Sequence, residues 1–338
     1  MYSVITDTSA NLPTPLLKER EIGVLPFSYT IEDKTYTCLD TEAYDGKAFF
    51  QAIRNGAVVT TSQINPQTYI DGFEEALREG RDVLYIGMSS GISGSCSSAH
   101  MAAQELAEEY PDRRVEVVDT RGASLGEGIL ALLAADMRDA GLSLDEALER
   151  LGRLTECMCN VFTVDDLMHL RRTGRLSNLT AIVGTVLNIK PLLKGDENGK
   201  IVSFGKLRGR KRAVDAMAEI YNTRVVEPES QIVGIAHADC LAEAERLAAM
   251  LREKKPPKDI LIVDYEPVTG SHVGPDTLAL FFLADEEVRS IRWPVQERPK
   301  VEVKLPLVGT IRLPEVKLPE QLRFPRVGSR TDSGKKAE

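Results

Sequence analysis

The sequence predicts an α/β protein with two domains and largely parallel sheets, followed by a proline-rich C-terminal extension. Three observations lead to this prediction. Short β-rich runs alternate with segments whose apolar residues recur at helical spacing. Several of these runs are apolar on both faces, as strands are when helices cover both sides of a sheet. The chain of 338 residues also exceeds the usual size of a single hydrophobic core.

The strand predictions rest on short runs rich in β-branched and aromatic residues. They cover Ser3–Thr6, Gly23–Ile31, Val83–Gly87, Val115–Val118, Asn160–Val164, Gln231–Ala236 and Ile260–Tyr265. Helical spacing of apolar residues predicts helices over Pro66–Arg78, Cys96–Glu109, Leu125–Asp139, Leu144–Glu156, Lys206–Tyr221 and Cys240–Lys254. Strands that alternate with helices in this way favour parallel pairing, and such sheets bind ligands beyond the carboxyl ends of their strands.

Two strand–helix series divide the chain into an N-terminal domain, residues 1–155, and a C-terminal domain, residues 156–286. Residues 287–338 differ in composition, with six prolines and the motifs VKLP, IRLP, VKLP and LRFP. Proline at this frequency blocks helix formation, so we predict an extended or disordered tail. An alternative is a segment that docks on a protein or an anionic surface. The tail holds 12 Lys and Arg against 7 Asp and Glu, which leaves a charge of −14 on residues 1–286.

The overall composition narrows the possible functions. Hydrophobic residues make up 43% and charged residues 28% of the chain, as in ordinary soluble proteins. A net charge of −9 and few aromatic residues argue against nucleic-acid binding. No apolar stretch is long enough to span a bilayer, and no signal peptide is evident at the start. Five cysteines without a CxxC pair indicate free thiols in a reducing cytoplasm, and we expect neither a metal site nor a cofactor.

The segment Ser89–Ser98 holds six serines and two glycines directly after a predicted strand. Its first part lies in GMSSG, the pattern of a nucleophile elbow, so Ser89 with Asp264 and His272 could form the triad of a serine hydrolase. However, no oxyanion-loop motif precedes it, and the next helix begins near Ser95 rather than directly after Ser89. A second interpretation is anion binding, because the first backbone N–H groups of a helix lack internal partners. An ordinary helix cap explains one of these serines but not six.

A second cluster of hydroxyl groups occurs in Val58–Gln63, which reads VVTTSQ. Thr61 and Ser62 precede a predicted helix that starts at Pro66, where proline suits the first turn. The cluster could be a capping loop. Alternatively, the two clusters could present hydroxyl groups from separate loops to one ligand head group.

Seven segments in this order resemble the DegV family: ITDTSANLP, VVTTSQINP, SSGISGSCSSA, VDDLMHLRRTGRLS, LNIKPLL, KLRGRKRA and GSHVGPDTLALFF. The resemblance extends from residue 1 to about residue 285. It implies two α/β domains with a long-chain fatty acid in a tunnel between them. It also implies the role of a non-catalytic, acyl-binding subunit that presents the fatty acid carboxylate to an ATP-using fatty acid kinase.

The resemblance also assigns residues to the site. Thr61, with Ser62 beside it, and Ser93 match the hydroxyl groups that bind the carboxylate, and Gly94 matches the amide that completes the cradle. His272 matches a histidine near the head group. Positions expected to meet the kinase or the phosphate are Arg172, Arg175 and Arg208. Apart from the resemblance, a fatty acid needs a long apolar slot, for which the apolar segments Leu179–Leu187 and Leu278–Leu283 are candidates, with plain core packing as the alternative. The family often has proline directly after Thr-Ser-Gln, where this chain has Ile64. A carrier of another apolar acid remains an alternative.

Overall fold

The computed structural model describes residues 1–176 and 188–295. Its strands are β1 (Tyr2–Asp7), β2 (Ile22–Leu25), β3 (Ser28–Ile31), β4 (Lys34–Thr37), β5 (Val59–Ser62), β6 (Asp82–Gly87), β7 (Val115–Asp119), β8 (Met158–Thr163), β9 (Ile189–Gly195), β10 (Ile201–Arg208), β11 (Ile232–His237), β12 (Asp259–Asp264) and β13 (Leu278–Leu283). Its helices are α1 (Thr14–Glu19), α2 (Gly46–Arg54), α3 (Pro66–Arg78), α4 (Ser95–Glu109), α5 (Leu125–Asp139), α6 (Leu144–Cys157), α7 (Met168–Arg172), α8 (Arg210–Arg224), α9 (Leu241–Lys254) and α10 (Pro267–Val273). The predicted α/β class is confirmed.

The strands of the N-terminal half form a parallel sheet in the order β2-β1-β6-β7. β1 and β6 lie at its centre and are almost entirely buried, which explains their continuous apolar runs. Asp7, at the end of β1, and Ser89, just after β6, therefore lie at the same edge of the sheet.

A small antiparallel sheet, in the order β4-β3-β5, accompanies the parallel one. The sequence predicted a single strand over Gly23–Ile31, and that prediction is wrong. Pro26 separates β2 from β3, because proline lacks the N–H group that a strand ladder requires. The small sheet includes the Thr61 segment, which was predicted as a loop.

The second large sheet has the order β10-β9-β8-β13-β11-β12. Within the described ranges only β11 and β12 pair in parallel, and the other neighbours are antiparallel. The prediction of largely parallel sheets is therefore correct for the first sheet and wrong for this one. There are two causes: β8, β9 and β10 follow one another as antiparallel neighbours, and β13, after the short helix α10, runs antiparallel to both β8 and β11.

Helix α5 packs between the two large sheets and contacts β1 and β6 on one side and β8, β11 and β13 on the other. Nearly all of its residues are buried, which agrees with a helix that is apolar around most of its circumference. Helix α5 approaches β11 closely at Gly234, where a Cβ atom on that residue would lie 2.7 Å from the Cβ of Leu125.

The helix predictions agree with α3 and α5 at both ends, and those for α4, α6 and α9 differ by one residue. The helix predicted over Lys206–Tyr221 is misplaced, because Lys206–Arg208 ends β10 and α8 begins at Arg210. Gly209 makes the turn between them with φ 94°, a conformation that glycine adopts without strain.

The beginning of the predicted tail packs on the body of the protein. Val288–Ser290 forms a 3₁₀ turn, and the buried Arg289 donates hydrogen bonds to the carbonyls of Thr120, Arg121 and Thr155. Residues 296–338, with all four Pro-containing motifs, lie outside the described residues. The division into domains at residues 155 and 156, near the end of α6, stays a prediction. In the part of the chain that the structure describes, no helix is long and apolar enough to cross a membrane.

Candidate functional site

Strand β5 places Thr61 toward the interior. Its side chains alternate between half-buried and exposed positions, and Thr61 is half-buried whereas Thr60 and Ser62 are exposed. This alternation is the ordinary period of a strand, whose successive side chains point to opposite faces. Of the three hydroxyl groups in this cluster, Thr61 is therefore the one that faces the rest of the site.

Helix α10 brings His272 to Thr61. The Oγ1 atom of Thr61 lies 2.9 Å from Nε2 of His272, although 211 positions separate the two residues in the sequence. Nδ1 of His272 is buried without a hydrogen-bond partner in the described structure. Burial lowers the pKa of His272 to about 4, and the nearby charge of Arg175 acts in the same direction. The imidazole is therefore neutral at physiological pH, with one nitrogen free for a further hydrogen bond.

The N-terminus of α4 supplies the second hydroxyl group. Ser93 Oγ accepts a hydrogen bond from the Ser95 amide at 3.2 Å and donates to Ser95 Oγ at 3.0 Å. Gly94 occupies the N-cap position and offers no side-chain cap. The first turn of α4 thus presents backbone N–H groups and serine hydroxyl groups, the donors that suit a carboxylate or phosphate.

The Thr61 and Ser93 segments contact each other through Ile64 and Gln63. The Ile64 amide donates to Ser95 Oγ at 3.2 Å, and a Cβ atom on Gly94 would lie 2.2 Å from Oε1 of Gln63. A methyl group at position 94 would therefore have to displace the end of the Gln63 side chain. The convergence of the two hydroxyl clusters, which the sequence left open, is a feature of the fold.

The three predicted arginines differ in their surroundings. Arg175 donates to the Ile92 carbonyl at 3.3 Å, next to Ser93, and its charge lowers the pKa of His272 after the larger effect of burial. Arg172 is exposed at the end of α7, and Arg208 is exposed at the end of β10. Of the three, Arg175 is the one that the described contacts connect to the site.

Two further basic residues follow Arg208 closely in the sequence, and both have acidic partners. Arg210 pairs with Glu243 at 2.7 Å, and Lys211 pairs with Asp215 at 3.4 Å. Their positive charges are therefore partly neutralised.

The described structure does not assemble a triad around Ser89. The Ser89 side chain is fully buried, and its hydroxyl donates to the Gly199 carbonyl at 2.9 Å. His272 contacts Thr61 instead, and Asp264 lies 3.1 Å from Nδ1 of a different histidine, His237. A nucleophile needs an accessible hydroxyl next to a base, so the geometry does not support the hydrolase alternative.

The proposed tunnel residues fall in two places. Leu179–Leu187 lies outside the described residues. Leu278–Leu283 forms β13, whose side chains alternate between two hydrophobic cores. Ala279, Phe281 and Leu283 face the core shared with α5, and Leu278, Leu280 and Phe282 face the core under α8 and α9. Only the first set lies on the side of the N-terminal half.

Sequence reasoning missed the polar residues behind the serine loop. Tyr69 and Tyr85 are completely buried, and their hydroxyl oxygens lie 2.8 Å apart. Tyr85 donates to the carboxylate of Asp7, which is also buried. Asp7 stands in the first of the family-like segments, but nothing in the sequence alone connects it with Tyr85.

A separate cleft of about 440 Å³ lies at the carboxyl ends of β11 and β12. It is lined by Asn11, Tyr44, His237 and Asp264, among others, and by none of the residues predicted to bind the fatty acid carboxylate. Among residues 1–176 and 188–295, no group of three or more His, Cys, Asp or Glu side chains is arranged to hold a metal ion.

Comparison with known sequences relates this chain to one family. The family model "Uncharacterised protein, DegV family COG1307" matches residues 1–285. The DegV domain-containing protein CPE0026 of Clostridium perfringens is 40% identical over 284 residues, which cover 84% of this chain and 98% of that protein. The DegV domain-containing protein YteA of Lactococcus lactis is 34% identical over 285 residues, or 84% of this chain and 98% of that protein.

Solved structures with the same fold include proteins that bind fatty acids. A fatty-acid-binding DegV family protein from Thermus thermophilus has a TM-score of 0.73 at 30% identity and covers 84% of this chain and 99% of its own. DegV of Bacillus subtilis, a fatty acid binding protein, has a TM-score of 0.71 at 28% identity with the same coverage. The fatty acid binding protein SAG1342 of Streptococcus agalactiae has a TM-score of 0.74 at 29% identity, again with 84% and 99% covered.

Proposed function

The chain belongs to the DegV family, and we propose that it binds a long-chain fatty acid with the carboxylate at Thr61, Ser93, the Gly94 amide and His272. The acyl chain lies in a tunnel between the two halves of the protein. Ser62 is exposed on β5 and has at most a peripheral part in this site.

The observation that carries the proposal is the contact between Thr61 and His272 next to the N-terminus of α4. Three segments far apart in sequence contribute the hydroxyl groups of Thr61 and Ser93, the neutral imidazole of His272 and the N-terminus of α4, and the Ile64 amide joins the first segment to α4. A buried carboxylate without hydrogen-bond partners is very costly, so a fatty acid site needs such a set of donors at its polar end. Related proteins that bind fatty acids support the choice of ligand.

The finer role is that of a subunit that presents the carboxylate. The hydroxyl groups, the Gly94 amide and His272 would orient the carboxylate, and an ATP-using kinase subunit in the cytoplasm would make the acyl phosphate. This chain would supply a positioned substrate. Arg175 lies beside the head group, where it could meet a transferred phosphoryl group, and the exposed Arg172 and Arg208 are available to the partner.

Native mass spectrometry of protein purified from cells tests the binding proposal. We expect a bound mass equal to a long-chain fatty acid, released on denaturation. A carboxylic acid of another class would favour a different carrier role, and a ligand-free spectrum that does not change on addition of oleate would contradict fatty acid binding. Formation of acyl phosphate by a fatty acid kinase subunit with ATP, dependent on the loaded protein, tests the finer role.

A further inference from the structure

Ser89, which takes no part in a catalytic triad, lies in the same loop as Ser93. This loop follows β6 at the edge of the first sheet and ends where α4 begins at Ser95. The Ser89 side chain is completely buried, although serine is a residue type that mostly lies at the surface. A buried hydroxyl group needs hydrogen-bond partners, and the partners of Ser89 show what it holds in place.

Ser89 fixes the main chain of the loop. Its carbonyl accepts hydrogen bonds from the amides of Ile92 at 3.2 Å and Ser93 at 3.1 Å. Its Oγ accepts the Gly91 amide at 3.1 Å, and its own amide donates to the Gly122 carbonyl at 2.8 Å. The position of Ser93, which carries a hydroxyl group proposed to bind the carboxylate, therefore depends on the position of Ser89.

The hydrogen of the Ser89 hydroxyl group goes to the second sheet. Ser89 Oγ donates to the carbonyl of Gly199 at 2.9 Å, across 110 positions of the sequence. Gly199 lies in the turn between β9 and β10. The two main chains also approach closely at Gly91, where a Cβ atom would lie 2.6 Å from the Asn198 carbonyl oxygen. The turn is thus seated directly on the loop that carries Ser93.

The turn between β9 and β10 is itself held in place. The carboxylate of Asp196 accepts hydrogen bonds from the amides of Asn198 and Lys200, each at 2.9 Å. The buried Arg289 donates to the Asp196 carbonyl at 3.3 Å and to the carbonyl of Arg121, after β7, at 3.0 Å. These bonds fix the turn both internally and relative to the first sheet.

We propose that Ser89 is a positioning residue for the carboxylate of the fatty acid: the Gly199 carbonyl fixes the Ser89 hydroxyl group, and Ser89 in turn fixes Ser93. The inference rests on the proposed function and makes the head-group site depend on the C-terminal half of the protein. Ser89 does not touch the ligand, because its side chain is buried against the turn. Arg175 acts in the same direction, since it donates to the Ile92 carbonyl at 3.3 Å.

Replacing Ser89 with alanine removes both hydrogen bonds of the hydroxyl group. The Gly91 amide and the Gly199 carbonyl each lose a partner, and the loop is no longer tied to the turn. Ser93 should then move relative to the carboxylate, whereas the acyl chain should keep its place in the tunnel. A change confined to the head group distinguishes positioning from a general loss of stability.

Oleate labelled with ¹³C at either the carboxyl carbon or the terminal methyl group reports on the two ends of the ligand separately by NMR. In delipidated Ser89→Ala loaded with oleate, we expect the bound carboxyl resonance to move from its wild-type position and the methyl resonance to stay. The affinity for oleate, measured by titration calorimetry, should fall about 10-fold, the lower end of what one hydrogen bond to a charged group contributes. A merely structural role would lower stability without moving the carboxyl resonance of the bound ligand.

A second variant and two controls accompany Ser89→Ala. Gly199→Ala disturbs the same contact from the other side, because its Cβ would lie 2.0 Å from Ser89 Oγ, and it should move the same resonance. Gly141→Ala is its matched control, since Gly141 also has a positive φ, 80° against 69°, but open space around it. Ser90→Ala is the control for Ser89→Ala, because the exposed Ser90 hydroxyl donates to Asp119 within the N-terminal half. Both controls should keep the wild-type resonances.

Wild-type carboxyl resonances and oleate affinities in Ser89→Ala and Gly199→Ala would overturn the positioning proposal and leave the proposed function intact. Equal movement of the carboxyl and methyl resonances would also overturn it, because the disturbance would then be general. If Ser89→Ala does not fold, Gly199→Ala decides the question alone. Absence of oleate binding by the wild type would contradict the proposed function itself.

Discussion

Replacing Thr61 with valine removes one hydroxyl group and keeps the shape of the side chain. In the structure this hydroxyl lies 2.9 Å from Nε2 of His272, on the half-buried face of β5. In the proposed complex this hydroxyl donates a hydrogen bond to the carboxylate of the fatty acid. The substitution therefore tests the polar end of the site without disturbing the apolar part.

A hydrogen bond to a charged group contributes about 1.5–3 kcal/mol. Since each 1.4 kcal/mol is a factor of about ten, the affinity for oleate should fall about 10- to 100-fold in Thr61→Val. Thr60→Val is the matched control, because Thr60 is exposed on the opposite face of the same strand. It should bind as the wild type does.

Titration calorimetry on delipidated protein measures both affinities, and a thermal melt of each variant reports on the fold. The double variant Thr61→Val/His272→Gln should lose less than the sum of the single losses, because the two side chains contact each other. Equal oleate affinity in Thr61→Val and the wild type, with both proteins folded, would refute the placement of the carboxylate.

Three further predictions concern the surroundings of the site. Gly94→Ala should weaken oleate binding, because its Cβ would meet the Gln63 side chain. Gly152→Ala, which has open space around it, should bind oleate as the wild type does. Fluorescence displacement of a labelled fatty acid compares the two variants. Burial lowers the pKa of His272 from 6.5 to about 4, so the unfolded state binds the proton first as the pH falls. Urea melts should therefore show the wild type losing stability between pH 6.5 and 4 by up to about 3 kcal/mol relative to His272→Gln, and parallel curves would contradict this. Arg289→Ala should destabilise the protein by about 2–4 kcal/mol in the same assay, because several buried backbone carbonyls lose a charged donor, and an unchanged midpoint would contradict the packing described here.

The α/β class and most helix boundaries could be predicted because they depend on local periodicity. The boundaries of α3 follow from Asn65 and Pro66 at its start, and those of α5 from a long apolar segment. The antiparallel second sheet could not be predicted in this way. Its pairing depends on the position of β13 between β8 and β11, a long-range arrangement that no local pattern specifies.

The candidate site was predictable only in part, because local sequence shows the hydroxyl clusters but not the long-range packing that brings them together. The hydroxyl groups around Thr61 and Ser93 stand out as clusters, but their distance from each other and from His272 is set by the packing of three separate segments. The hydrogen bonds that link Tyr69 and Tyr85 to Asp7 were not predictable, since the sequence gives buried tyrosines the appearance of ordinary core residues. A buried carboxylate such as Asp7 can be recognised only when the residues that surround it in the structure are known.

The central claim is that the carboxylate of a fatty acid binds where the Thr61 and Ser93 segments meet. Its most direct test is the ligand occupancy of Thr61→Ala/Ser93→Ala, measured by native mass spectrometry beside the wild type purified in parallel. The wild type should carry a long-chain fatty acid, and the folded double variant should be largely empty. Equal fatty acid occupancy in both proteins would show that the carboxylate is bound elsewhere.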